Sequence, residues 1–389
     1  MSDFIIAYCE NYNTRLKTSK HHLVDHLKKN GHRVLYLENG ISVLRELVNQ
    51  KKFYYKNFKP KLKKIEEKIW SYQSVYYFPF HAGISDVALF NTLNQYLILR
   101  GLRKILLDLN FKNPIIINYI PTLLPIIKYL NPKISVLHMV DEWNAMSNVP
   151  KSLRKLINKS LITVDLTIVT SQPLYSKYKS NTKKIELIRH GASEKIFKKV
   201  ATGKLEIHKI LKNIKKPIIG YYGALHKLDF DLIKNIAEAR SKYNFIFVGP
   251  ISGSQSLKDI IHLPNNVKIV DSLRHEELPY VIAGLTVFWM PFLKNELTEH
   301  MSPIKISEVL MSGTEIITTD LEEIRLMNNQ HVYLSNTENE HMVNLDRCIK
   351  SMYNNRLSIS NKNSTYTLNN EMKEILKNIM LIADTKDPK

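Results

Sequence analysis

The feature that most constrains this chain is a repeated alternation of short β-branched apolar runs with stretches of helical spacing. FIIAY (4–8), RVLYLE (33–38), SVYYFPF (74–80), PIIINYI (114–120), ISVLHMV (134–140), LTIVTS (166–171) and IELIRHG (185–191) read as strands. Between them lie patterns such as HHLVDHLKKNG, where Leu23, Val24 and Leu27 share a face and Gly31 ends the helix. After a polar, lysine-rich connector (198–216) the alternation restarts with PIIGYYG (217–223), NFIFVGP (244–250), NVKIVDS (266–272), LTVFWMPF (285–292) and TEIITTD (314–320). Runs this apolar belong to parallel strands covered by helices on both faces. At 389 residues the chain exceeds what one core usually fills. The expectation is two doubly wound α/β domains, 1–200 and 201–366, with a C-terminal helix (367–389) returning to the first. Such sheets bind ligands at the carboxyl ends of their strands, and two domains can face each other with those ends across a cleft.

The two cysteines, Cys9 and Cys348, form no CxxC or Cys/His cluster, so neither a disulfide framework nor a zinc site is expected, which fits a cytoplasmic setting. MSDFIIAYCE reads as a first strand rather than a signal peptide. The longest apolar region, 105–130, is broken by Asp108, Lys112, Pro114, Pro121 and Pro125, and cannot span a bilayer as one helix.

The net charge of +20 is unevenly placed. Residues 1–200 carry 33 Lys and Arg against 14 Asp and Glu; residues 201–389 carry 23 against 22. A lysine-favouring genome would load both halves alike, so the basic half points to an anionic partner. Segment 43–70, read as a helix, mixes lysines with Phe53, Tyr54, Tyr55, Phe58 and Trp70, and helix 94–109 interleaves Leu with Arg100, Arg103 and Lys104. Both suit an anionic membrane surface; a solvated helix face over the core is the alternative. The basic residues form neither a recognition helix nor an aromatic β-platform, so no nucleic-acid partner is expected, although a basic nucleic-acid-binding protein would also account for the charge.

HMSPIKISEVLMSG (300–313) carries the chemistry. Ser302 reads as an N-cap, Pro303 as the first helical residue and Gly313 as the position past the end. Lys305 and Glu308, at i and i+3, share a face near the positive end of the helix. A lysine there, with free backbone N–H groups, can hold a diphosphate, and a glutamate one turn on can accept from ribose hydroxyls, which together fit a nucleotide-sugar. A surface Lys–Glu pair worth about 0.3–0.5 kcal/mol is the plain alternative. Gly223 ends a strand and lets a phosphate or sugar approach the backbone, as it would also serve a tight turn.

The order of elements resembles the GT-B glycosyltransferases. Over 271–313 come a strand, a helix opened by EELP, a strand ending in PF and the PIKISE helix followed by Gly313. In the first half INYIPTLLPIIKYL, SVLHMVDEWN, VDLTIVTSQPLY and IELIRHGASEKIF follow the same family's order. The likeness covers most of 1–320 and is nearest to bacterial transferases of the teichuronic acid and capsule type and to the xanthan glucuronosyltransferase. It implies that Lys305 meets the donor diphosphate, Glu308 the ribose, Gly223 the diphosphate and the turn carrying Ser272 and Leu273 the base. His300 stands where many retaining relatives have a first glutamate, which leaves inversion open.

An inverting transferase needs a base for the acceptor hydroxyl. Asp141, directly after ISVLHMV, falls where xanthan-type relatives carry theirs; a helix N-cap or a structural pair is its other reading. His138 is a second candidate that strand alternation can turn into the core. Arg189 and His190 line the cleft or form a hinge turn, and His21, with His22, either faces the cleft or caps the first helix. No DxD-type pair sits in a loop, the Asp-Phe-Asp of 229–231 falling inside a helix, so no metal is expected. The function implied is transfer of a sugar from a uridine-linked donor to a lipid-linked oligosaccharide or polysaccharide of the bacterial envelope, at the inner face of the cell membrane. A nucleotide-sugar 2-epimerase shares the fold.

Overall fold

The computed structural model describes residues 1–14, 18–49, 59–79, 88–146, 149–250, 262–350, 356–362 and 367–386. The chain forms two compact units, Met1–Ile188 with Met372–Lys389, and Arg189–Glu371.

The first unit is built on an eight-stranded sheet in the order β3-β4-β2-β1-β5-β6-β7-β8. Its strands are β1 (Asp3–Cys9), β2 (Arg33–Ser42), β3 (Lys61–Glu66), β4 (Ile69–Tyr76), β5 (Ile115–Asn118), β6 (Ile134–Met139), β7 (Leu166–Val169) and β8 (Ile185–Leu187). All neighbours pair in parallel except β3 and β4. Every residue of β1, β5, β6 and β7 is buried, as runs without polar alternation require. Helices α1 (Ser19–Lys29), α2 (Val43–Asn49), α3 (Ala88–Asp108) and α4 (Lys151–Thr163), with a 3-10 helix at Pro121–Leu130, belong to this unit. So do residues from Met372 on, where Met372, Ile375, Ile379 and Ala383 make a buried stripe and Lys386 pairs with Asp165 at 2.6 Å.

Segment 43–70 is not one helix. Only Val43–Asn49 is helical, residues 50–58 with their aromatic cluster lie outside the described residues, and β3 and β4 form an antiparallel hairpin whose turn holds Lys68 at φ 67°. The lysines 61, 63 and 64 are exposed on the edge strand, where charge blocks pairing with another chain. The strand read at 74–80 accordingly begins earlier, at Ile69, and ends at Tyr76.

The second unit has six parallel strands in the order β11-β10-β9-β12-β13-β14. They are β9 (Ile218–Tyr222), β10 (Asn244–Val248), β11 (Val267–Val270), β12 (Val287–Met290), β13 (Ile316–Thr319) and β14 (Val332–Ser335). The order reverses between β9 and β12, which opens a crevice beyond their carboxyl ends. Asp229 is not inside a helix: it caps Phe230–Ala239, accepting from Leu232 N at 3.0 Å. Among the described residues no helix is long and apolar enough to cross a membrane.

Candidate functional site

The crevice of the second unit is built from two chain segments. β9 ends in Tyr222 and Gly223, and Gly223 stands at φ 143°, a conformation that L side chains rarely adopt. A Cβ there would overlap Lys305 Cε and come within 2.6 Å of the Tyr221 hydroxyl. A Cβ at Gly249, which ends the neighbouring β10, would overlap the Gly223 carbonyl oxygen. Two glycines thus keep backbone bare at this sheet edge, and the lysine of the PIKISE helix lies across the first of them.

That helix spans Ile304–Met311. Ser302 does not cap it: Pro303 is the N-cap residue, in extended conformation and with no side-chain cap bond, so the first turn keeps its N–H groups. Gly313, at φ 72°, ends it against the Arg356 carbonyl. Ile306, Val309 and Leu310 are buried, whereas Ile304 is half-buried. Lys305 Nζ sits 6.0 Å from the centroid of the Tyr222 ring.

Glu308 is not in a surface pair with Lys305. It is 4% exposed; Oε2 accepts from the Tyr222 hydroxyl at 2.7 Å and Oε1 lies 3.0 Å from His275 Nε2. The Glu308 hydrogen bond raises the His275 pKa against the opposing effect of burial. Burial, reinforced by the Glu308 charge, raises the Tyr222 hydroxyl well above its ordinary value. A carboxylate has about four acceptor positions, so two remain for a ligand's hydroxyls. His275 comes from the turn after β11 that also holds Ser272 and Leu273; Ser272 is exposed and its N–H donates to Asp271 Oδ1 at 2.6 Å. His300 ends the short helix Glu296–Glu299, its Nδ1 2.7 Å from the Glu296 carbonyl oxygen. Lys227, in the loop after β9, brings a second cation within 3.9 Å of Met301 Sδ. The structure thus brings Gly223, Lys305 and Glu308 to one sheet edge, where Tyr222, His275, Lys227 and Gly249 stand beside them without a local sequence signal.

Arg189 and His190 each meet a buried carboxylate. Arg189 Nε donates to Glu323 at 2.7 Å, and Glu371 meets His190 Nδ1 at 3.1 Å and the Gly191 N–H at 2.7 Å.

The remaining candidates belong to the other unit. Asp141 follows β6 and is half-buried, its carbonyl accepting from Trp143 N at 3.1 Å. It is not the cap of the following turn: Glu142 is, accepting from Asn144 N at 3.0 Å. Glu142 is fully buried and also binds the Tyr178 hydroxyl at 2.7 Å and Lys177 Nζ at 3.0 Å, which fixes the backbone beside Asp141. His138 is fully buried, its ring 4.8 Å from that of Tyr119, so alternation does place it in the core. His21, 1% exposed, accepts from Thr18 N at 3.2 Å and completes a capping box at the start of α1. At the point where this sheet reverses, between β1 and β5, Glu10 binds Lys20 at 2.6 Å and Lys20 Nζ stands 5.3 Å over the Tyr119 ring. Burial raises the Glu10 pKa, but hydrogen bonds from Lys20 and Thr18 outweigh it and hold the carboxyl below its ordinary value.

Residues 216–350 match the family described as "Glycosyl transferases group 1". The Bacillus subtilis (strain 168) protein TuaH, named as a teichuronic acid biosynthesis glycosyltransferase, is 25% identical over 160 residues, which are 40% of this chain and 40% of that protein. The match thus spans well under half the length of that curated relative. Among solved structures, sucrose-phosphate synthase from Thermosynechococcus elongatus superposes with a TM-score of 0.69 at 11% identity, over 98% of this chain and 99% of that one. Anabaena HepE, solved in complex with UDP and glucose, gives 0.63 at 13% over 98% and 99%. The chain has the GT-B fold of these solved structures, and its residues 216–350 match the group 1 glycosyl transferase family.

Proposed function

We propose that the protein transfers a sugar from a uridine-linked nucleotide-sugar to a lipid-linked oligosaccharide or polysaccharide of a bacterial envelope, working in the cytoplasm against the inner face of the membrane. The observation that carries the donor half of this reading is the convergence of Gly223, Lys305 and Glu308 at the reversal point of the second sheet. Lys305 and the uncapped amino end of its helix receive the diphosphate and stabilise the charge that develops on it as the sugar leaves. Glu308, held by Tyr222 and His275, accepts from the ribose hydroxyls. That HepE is solved with UDP and glucose supports a donor of this class; the basic first half and the likeness to TuaH support an envelope acceptor.

Asp141 serves as the base that takes the acceptor hydroxyl proton as its oxygen attacks the anomeric carbon. Glu142, with its buried partners, holds Asp141 at the carboxyl edge of β6. Cationic side chains and a helix dipole do the work at the diphosphate, so the reaction needs no resident metal.

The test is a panel of nucleotide-sugars scored by thermal shift and by sugar release. UDP-sugars raise the melting temperature and guanosine or thymidine analogues do so less; a flat response to all of them refutes the donor site. Asp141→Asn keeps the donor shift and abolishes transfer, and retained turnover removes it as the base. Conversion of the donor alone to its epimer would instead make the protein an epimerase.

A further inference from the structure

A cavity of about 760 Å³ lies in the first unit between α3, the 3-10 helix Pro121–Leu130 and α4. Its volume falls within the roughly 300–1,000 Å³ of small-molecule sites. Tyr96 and Leu99 from α3, Ile126 and Tyr129 from the 3-10 helix, and Leu153 and Leu156 from α4 give it apolar walls. The spacing i, i+3 on each helix turns these pairs to one side. Tyr96 and Tyr129 remain 59% and 49% exposed, so both rings are within reach of a ligand in the groove. Two cations, Lys151 and Lys155, stand at its lip, and among the described residues no acidic side chain lines it.

The topology gives this groove a direction. The 3-10 helix starts just after β5 ends, and α4 starts on the segment that follows β6 and Asp141 before returning to β7. Both beginnings therefore lie at the carboxyl edge of the parallel sheet, the edge that carries Asp141. Lys151, at the start of α4, marks the charged end of the groove, and no acidic residue stands in that first turn.

We propose that this groove seats the hydrocarbon chain of a polyisoprenyl phosphate, the lipid carrier of the acceptor glycan, with its phosphate between Lys151 and Lys155. An apolar slot with a cationic lip complements a ligand that is a long apolar chain ending in an anion. It also sends the attached glycan toward the carboxyl edge where Asp141 stands. This inference deepens the reading above and rests on it for the identity of the acceptor.

The test uses the full chain with farnesyl phosphate, farnesol and inorganic phosphate as probes, measured by calorimetry alongside UDP. Farnesyl phosphate binds, farnesol binds at least tenfold more weakly and phosphate alone does not bind. The exposed-site variants Tyr96→Ser and Lys151→Glu/Lys155→Glu lose at least tenfold in farnesyl phosphate affinity and keep the UDP response and the circular dichroism of the parent. If the parent binds UDP but not farnesyl phosphate, or the variants bind it unchanged, the groove assignment falls while the donor reading stands. If the parent fails to bind UDP, the donor reading falls instead. Equal competition by phosphatidylglycerol vesicles free of polyisoprenoid would make the occupant a bilayer surface. Conversion of a dimer to a monomer by Tyr96→Ser in sedimentation would make it a second copy of the chain. Either result overturns the proposal.

Discussion

The side chain of Lys305 lies over the bare backbone of Gly223, across the space that a Cβ at that position would take. Any side chain at 223 must displace the lysine and adopt φ 143°. Strain of this kind costs about 1–3 kcal/mol. Gly223→Val should therefore lower UDP affinity at least tenfold, measured by calorimetry, with a drop in melting temperature that reports the strain separately. Unchanged affinity would detach the glycine from the donor site.

Lys305→Ala removes the cation without adding bulk. One lost charge-assisted contact to a phosphate is worth about 1.5–3 kcal/mol, or roughly tenfold to over a hundredfold in affinity. The loss should appear in the donor KM and in UDP binding, with the melting temperature of the unliganded protein little altered.

Tyr222→Phe deletes the hydroxyl that donates to buried Glu308 at 2.7 Å and keeps the ring. Removing one partner of a buried polar group costs about 1–3 kcal/mol. The variant should melt lower by that amount in chemical denaturation and bind donors more weakly, because Glu308 is then held by His275 alone. Equal stability would show that the carboxylate does not depend on the tyrosine.

How much of this was legible in the sequence depends on how local each cause is. The strands β9 and β12 declare themselves because each is a short run without a charged residue, and such a run, buried throughout in the fold, needs no partner to be recognised. The hairpin β3–β4 hides because an exposed edge strand rich in lysine has no apolar period, and its lysines mimic a solvated helix. Lys305 and Glu308 stand out by their place between Pro303 and Gly313, which bound a short helix. Tyr222 and His275 do not, since they reach Glu308 across 86 and 33 residues of chain and only the folded sheet edge joins them. Asp141 was legible as a strand-end carboxylate, while the buried residue that caps the next turn, Glu142, reads in sequence as one more surface acid.

The His275–Glu308 pair makes stability depend on pH with a definite sign. Glu308 raises the His275 pKa in the folded state above its unfolded value of about 6.5. The resulting stabilisation is fully present below that unfolded value and is lost as pH rises through the raised folded one. Melting temperature followed from about pH 5.5 to 8.5 should therefore fall more for the parent than for His275→Gln. Parallel curves would show that the histidine does not titrate with its partner.

Arg189→Met should test the ion pair that holds the start of the second unit. Glu323, with its side chain 2% exposed, would lose a partner at 2.7 Å, and breaking a buried pair from one side costs about 3 kcal/mol. The double change Arg189→Met/Glu323→Met should recover most of it in urea unfolding, since neither charge is then left buried.

The clamp at Glu371 has a consequence for how the protein can be taken apart. Glu371 binds the Gly191 N–H, and Leu368 N donates to the Ala192 carbonyl at 2.9 Å, so the two ends of the second unit are tied together. That unit is one unbroken segment, Arg189–Glu371, whereas the first is assembled from both ends of the chain. In genetic terms the second unit is an insert with adjoining ends. One continuous stretch encodes it, whereas the first unit needs both stretches, because stopping before Met372 removes the buried stripe of Met372, Ile375, Ile379 and Ala383.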